Sequence, residues 1–175
     1  MLFLMDAWEN IRNFVDSGGP ILYAIAFLTF VMWTLMLERF WFYRGALDNV
    51  INNVIAEWEA RAERKSWNSK QIRRAMISRV NERIHTNVNL IGTLVSLCPL
   101  MGLLGTVTGM IQVFEVLAIT GGSDAKSMAS GVSMATIPTM AGMVAALSGV
   151  FGSTFVNRIA ARESQLLEDH LTMDH

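Results

Sequence analysis

Cysteine occurs once in the 175 residues, as Cys98, so an intramolecular disulfide and any CxxC or zinc framework are excluded. Its default role is that of a small buried hydrophobe. Charged residues make up 17% of the chain, against roughly 25% in soluble domains, and the net charge of -1 argues against a nucleic-acid partner. There is no Ser/His/Asp arrangement, P-loop or HExxH, which speaks against an enzyme, and nothing calls for a metal or a cofactor. Low-complexity tracts and internal repeats are missing too. The N-terminal MLFLMDAWENIRNF places Asp6 and Glu9 ahead of its first base, Arg12, and so lacks the positive n-region of a cleaved signal peptide; it is expected to remain.

The most telling absence is of charge along three stretches, Ile21 to Leu37, Val88 to Phe114 and Ser127 to Asn157. Each is near or beyond the roughly 20 residues needed to cross about 30 Å of hydrocarbon. With 52% hydrophobic residues and a mean hydropathy of +0.36, the pattern predicts an all-α integral membrane protein with three transmembrane helices. The first span closes in Glu38, Arg39, Phe40, Trp41, Phe42 and Tyr43, a charged and aromatic cluster of the kind that sits at headgroup level. The predicted layout is an amphipathic helix over 1–17, a first span over 20–43, a helical connection over 44–87, a second span over 88–118, a turn over 119–126, a third span over 127–157 and a tail over 158–175. Spans two and three are expected to continue beyond the bilayer as helices, with no separate globular domain.

Basic residues give the orientation. Arg44, Arg61, Arg64, Lys65, Lys70, Arg73, Arg74, Arg79 and Arg83 lie between spans one and two, whereas spans two and three are joined through Lys126 and Asp124 alone. The positive-inside rule places the long connection and the C-terminus, with Arg158 and Arg162, in the cytoplasm. The N-terminus and the turn through Thr120, Gly121, Gly122 and Ser123 are then external, as in a bacterial inner-membrane protein.

Outside the spans, Leu4, Trp8, Ile11 and Val15 form a stripe that suits either the outer membrane surface or a neighbouring subunit, before a break at Gly18, Gly19 and Pro20. Val50, Ile51, Val54, Ile55 and Trp58 make a second stripe; Ile72, Met76, Val80, Ile84 and Val88 make a third. Ser66 to Ser69 supplies a break and a candidate N-cap. Ile159, Leu166 and Leu171 continue the apolar pattern after span three. His85, His170 and His175 are expected on the solvated surface.

Spans two and three carry threonine, serine and glycine where lipid-facing helices prefer leucine. Gly102, Gly105 and Gly109 let another backbone approach, Gly105 and Gly109 at GxxxG spacing, and Gly131, Ala135, Thr139, Gly142 and Gly149 keep small residues along span three. Pro99 and Pro138 remove backbone hydrogen bonds and bend or open their helices. Because the helices run antiparallel, Thr106 and Thr136 each lie about nine residues, or about 13 Å, from the external ends, with Thr139 one turn deeper. Their hydroxyls can meet a partner or bond back to their own helices. No Asp, Glu, His, Lys or Arg stands centrally in any span, so a proton crossing here needs a carboxylate from a second chain. Glu115 marks a helix end, as vestibule charge or as solvated terminus.

The stretch CPLMGLLGTVTG resembles the P-x-x-G-L-x-G-T-V-x-G signature of the MotA/TolQ/ExbB ion-channel family, and GVSMATIPTMAGMVAA resembles that family's third helix. The length and reduced cytoplasmic part look like the short ExbB form that serves a TonB system. The resemblance implies a homopentamer around a dimer of a single-span ExbD-like subunit whose membrane aspartate carries the proton, with work passed to a TonB-like protein for import of iron-siderophore, haem or vitamin B12. It assigns Thr106 and Thr139 to the partner-facing path. One departure stands out: the third-helix position that is usually glutamate in ExbB and TolQ proteins falls on Met134. Ser133 and Thr136 are then the groups left to hold water there. MotA-type subunits also lack that glutamate, and a non-conducting scaffold, a TolQ-like subunit or a flagellar stator are the alternatives.

Overall fold

The computed structural model describes residues 2–61, 66–121 and 125–170. Within these residues every regular element is helical: α1 (Leu2–Trp41), a five-residue π-helical segment (Phe42–Ala46), α2 (Leu47–Glu59), α3 (Trp67–His85), α4 (Val88–Thr120) and α5 (Ala125–His170). Three helical stretches, Gly18–Glu59, Trp67–Ile119 and Met128–His170, are long and apolar enough to cross a membrane. The chain is an all-α, multi-pass membrane protein. The helices are shared between two compact units, one of Met1–Trp33 with Thr93–Val150 and the other of Thr34–Gly92 with Phe151–His175.

In the first unit α1 is interrupted where the sequence breaks. Gly19 takes φ 67°, ψ -170°. That conformation belongs to glycine, and the following Pro20 both forbids a helical geometry before it and withholds an N–H. Beyond the kink, α1 buries Leu22, Ile25 and Met32 and exposes Tyr23, Phe27 and Phe30. In hydrocarbon that exposure has no aqueous cost, which is why the apolar residues go all round the helix. Of the N-terminal stripe, the side chains of Leu4, Trp8 and Ile11 lie outside the described residues, as do Gly122, Ser123 and Leu171.

The second unit is built on water-soluble principles. Its core joins Tyr43, Leu47 and Trp58 to Met76, Ile77, Val80, Ile84 and Val88 and to Val156, Ala160 and Leu167. Each large apolar side chain buried from water contributes about 1.5–3 kcal/mol. The two stripes between spans one and two supply Trp58, Met76, Val80, Ile84 and Val88 of this core, and α3 is capped by Ser66, whose hydroxyl accepts from the Ser69 N–H at 3.3 Å. The tail stripe differs from expectation. Leu167 is fully buried and Leu166 is 37% exposed. The buried face of α5 follows Val156, Ala160 and Leu167, steps of four and seven that keep one side of a helix on the core. Ser164 and Asn81 hydrogen-bond between α5 and α3, and Arg73 Nη2 donates to the Glu168 carbonyl at 3.0 Å.

The charged and aromatic end of α1 is fastened into the same unit. Arg39, only 6% exposed, pairs through its guanidinium with Glu38 and donates from Nη1 to the Arg83 carbonyl at 3.2 Å. Tyr43 donates its hydroxyl to the neighbouring Ile84 carbonyl at 2.8 Å. These bonds satisfy carbonyls at the end of α3, where Thr86 leaves helical geometry and Asn87 adopts φ 62°. Arg39 also lies over the Phe42 ring, 4.9 Å from its centroid. The π-helical segment begins at Phe42, where the Leu47 N–H reaches back to the Phe42 carbonyl, and its Tyr43 and the adjoining Leu47 both face the core.

Replacing Gly19 with alanine forces a Cβ onto a glycine-only backbone conformation and is expected to destabilise the protein by about 1–3 kcal/mol. Denaturation midpoints of the detergent-solubilised protein check this; an unshifted midpoint would show that the kink tolerates an L side chain.

Candidate functional site

The first unit brings α4 and α5 together along an antiparallel seam of small residues. A Cβ built on Gly142 would stand 2.5 Å from the Cys98 carbonyl oxygen, one on Gly102 would stand 3.0 Å from the Pro138 carbonyl, and one on Gly109 would stand 2.6 Å from the Ala135 Cα. A Cβ on Gly105 would collide with the Pro138 ring, and one on Gly131 with the Val113 side chain. The paired positions therefore step in opposite directions along the two helices: 98 with 142, 102 with 139, 105 with 138, 109 with 135, 113 with 131. Backbones approach this closely only where side chains are absent. Cys98 and Pro138 are fully buried in the seam, and the Cys98 thiol points to its own helix, 3.3 Å from the Leu94 carbonyl. Pro99 is half-buried at the seam's edge.

The Thr139 hydroxyl crosses the seam. Thr139 Oγ1 donates to the Gly102 carbonyl at 3.1 Å, a bond between helices that glycine's bare backbone makes reachable. The other two threonines turn inward on their own helices: Thr106 donates to the Leu103 carbonyl at 2.7 Å, and Thr136 lies within reach of the Ser133 and Val132 carbonyls, at 3.0 and 3.3 Å. At 100° per residue, Thr106 and Thr139 each project about 60° to one side of the line between the helices, and Thr136 about 120° to that same side. The seam register sets Thr106 level with the Thr136–Ile137 turn. Thr106, Thr136 and Thr139 thus share one flank of the α4–α5 pair.

Ser133 and Met134 are placed elsewhere. Ser133 is exposed on the side of α5 turned away from α4. Met134 points to the flank occupied by α1, its terminal methyl 3.9 Å from where a Cβ on Gly19 would stand. The α1 flank also holds a hollow of about 780 Å³ lined by Leu22, Ile25, Thr29, Met140, Val144 and Ala145, and it is almost wholly apolar. Among the described residues no group of histidine, cysteine and carboxylate side chains could hold a metal. Sequence reasoning missed the Gly102 carbonyl as a partner for Thr139 because a carbonyl leaves no mark in the sequence. The only hint was that a glycine stands where the threonine arrives.

The arrangement can hold two helices rigidly while presenting a strip of hydroxyl oxygens on an otherwise apolar flank. A model of proton channels, described as the MotA/TolQ/ExbB proton channel family, matches residues 43–169, which include both seam helices through α5. The chain belongs to this family. Among relatives of the MotA/TolQ/ExbB type, the biopolymer transport protein ExbB-like 1 of Synechocystis sp. is 29% identical over 178 residues, covering 83% of this chain and 70% of that protein. The Tol-Pal system protein TolQ of Pseudomonas aeruginosa is 32% identical over 99 residues, 57% of this chain and 42% of its own. The biopolymer transport protein ExbB of Helicobacter pylori is 34% identical over 71 residues, 41% of this chain and 49% of its own. The chain thus matches less than half the length of the latter two relatives.

The seam predicts opposite outcomes for two glycines of α4. Gly109→Ala meets the α5 backbone and is expected to lower the denaturation midpoint by an amount typical of overpacking, about 1–3 kcal/mol. Gly92→Ala meets nothing within 4 Å and is expected to be neutral or stabilising by up to about 1 kcal/mol. Equal effects from both would refute the close seam.

Proposed function

We propose that this chain is the channel-forming subunit of an ExbB–ExbD-type motor that uses the proton-motive force to energise TonB-dependent import across the outer membrane. Family membership supports an ExbB-type role, and two of the relatives cited are named as biopolymer transport proteins. The observation that carries the reading is the flank of Thr106, Thr136 and Thr139, held by a seam too tight to shear. In this reading several copies, five by family resemblance, enclose an ExbD-like single-span partner whose membrane aspartate accepts and releases the proton. The threonines serve as hydrogen-bonding groups and not as acids, because a hydroxyl does not titrate near neutral pH. A TonB-like protein receives the work. The second unit with its basic residues then lies on the cytoplasmic side of the inner membrane, and the α4–α5 turn on the periplasmic side.

Met134 favours a second reading. Its side chain packs toward the Gly19 kink and presents no titratable group, which suits a scaffold that assembles TonB-type proteins without conducting. The two readings separate in liposomes containing this protein and an ExbD-like partner, driven in turn by H⁺ and Na⁺ gradients. The channel reading expects flux that Thr139→Val reduces at least tenfold while the complex remains assembled by size-exclusion chromatography. Equal background leak from wild type and variant, in an assay where a glutamate-containing relative conducts, would overturn the channel reading and leave the scaffold.

A further inference from the structure

The second unit contains a hollow with two arginines on its rim. It has a volume of about 200 Å³, lies between α2 and α3, and is lined by Val50, Asn53, Val54, Arg79, Val80 and Arg83. Arg79 and Arg83 are one helical turn apart, so their side chains rise from neighbouring points on a single face. Both are exposed, and among the described residues neither guanidinium has an ion pair; Glu57 and Glu82, on the same two helices, pair with neither. Val80 at the floor is 2% exposed, with Val50 and Val54 half-buried beside it. Two unpaired guanidiniums over an apolar floor, with a carboxamide opposite, form a receptor for a tetrahedral oxyanion: each planar fork can donate two hydrogen bonds, and the floor lowers the local dielectric.

The depth of the hollow identifies the anion. Arg39 and Tyr43, just after the first uncharged span, are hydrogen-bonded to the carbonyls of Arg83 and Ile84, just before the second. The boundaries of two charge-free stretches therefore meet at one level, the membrane–water interface. The Arg83 carbonyl is 3.2 Å from Arg39 Nη1, and Arg39 stands two residues, or about 3 Å of helix, beyond the last residue of the first uncharged span, at the level of the headgroup layer that flanks the hydrocarbon. We propose that Arg79, Arg83 and Asn53 form a binding site for the phosphate of an anionic membrane lipid. The site's ligand chemistry is shared with free phosphate.

Native mass spectrometry of the detergent-released full-length protein, with phosphatidylglycerol or phosphatidylcholine added, tests the site. Retention of phosphatidylglycerol over phosphatidylcholine is expected in the wild type and should weaken about 10- to 30-fold in the double variant Arg79→Gln, Arg83→Gln. The Arg83 backbone carbonyl, and so its bond from Arg39, is untouched by that change. A control that removes the same charge elsewhere, Arg74→Gln with Arg158→Gln, should keep retention. In parallel, inorganic phosphate is added to lipid-free protein and the denaturation midpoint read. A rise in the wild type that the double variant loses, without selective lipid retention, would support the phosphate site while assigning it a soluble ligand. Loss of retention that is equal in the control pair would show nonspecific attraction and overturn the proposal, as would retention unchanged in the double variant.

Discussion

Backbone proximity between α4 and α5 is the constraint from which the site follows. Inside a bilayer no hydrophobic force drives helices together, since lipid tails are as apolar as the side chains they would replace; contact must come from dispersion over closely matched surfaces. Gly102, Gly105, Gly109, Gly131 and Gly142 provide that surface, and the opposing Pro138 and Ala135 occupy the notches they leave. Because each notch is one residue deep, sliding by a turn would drive Val113 or the proline ring into backbone. The register is therefore steric. It alone determines that Thr139 meets the Gly102 carbonyl and that Thr106 and Thr136 share a flank.

A change of packing chemistry runs along α5. Toward its N-terminal half the inward residues are Gly131, Ala135, Gly142, Ala145 and Gly149; toward its C-terminal half they are Val156, Ala160 and Leu167. Small residues suit a lipid environment, where close approach is the source of cohesion. Larger ones suit an aqueous environment, where the area removed from water counts. Within the second unit the Arg39 guanidinium is buried, and it is tolerated there because a carboxylate, a carbonyl and an aromatic face all attend it. Removing any one of them would leave a cation buried without full compensation.

Much of this was legible in the sequence because it rests on periodicity. Charge-free runs gave the three crossing helices, Ser66 announced the start of α3, the Gly18–Gly19–Pro20 triplet announced the kink, and the apolar stripes of α2 and α3 became core. The α5 tail was misjudged at Leu166 because two adjacent leucines differ by about 100° in facing, and only the partner surface selects between them. The capture of Arg39 by Arg83 and of Tyr43 by Ile84 was invisible, since the acceptors are carbonyls some forty residues away. The five-residue π segment between α1 and α2 left no mark either. For the threonines, spacing gave depth but not the direction of their hydrogens.

That direction has a chemical consequence. Thr106, Thr136 and Thr139 each give their single proton to a backbone carbonyl, two within their own helices and one across the seam. What remains outward is lone pairs. In the channel reading proposed above, those lone pairs would favour a group that carries a hydrogen: a water molecule or a neutral carboxylic acid would find a place for its hydrogen there, whereas an ionised carboxylate would meet oxygen dipoles of the wrong sense. Such a surface would raise the proton affinity of an acid brought against it and release that acid once it ionises. The hydroxyls would then act as a selective latch that reads whether the proton is aboard, with no need to carry it themselves.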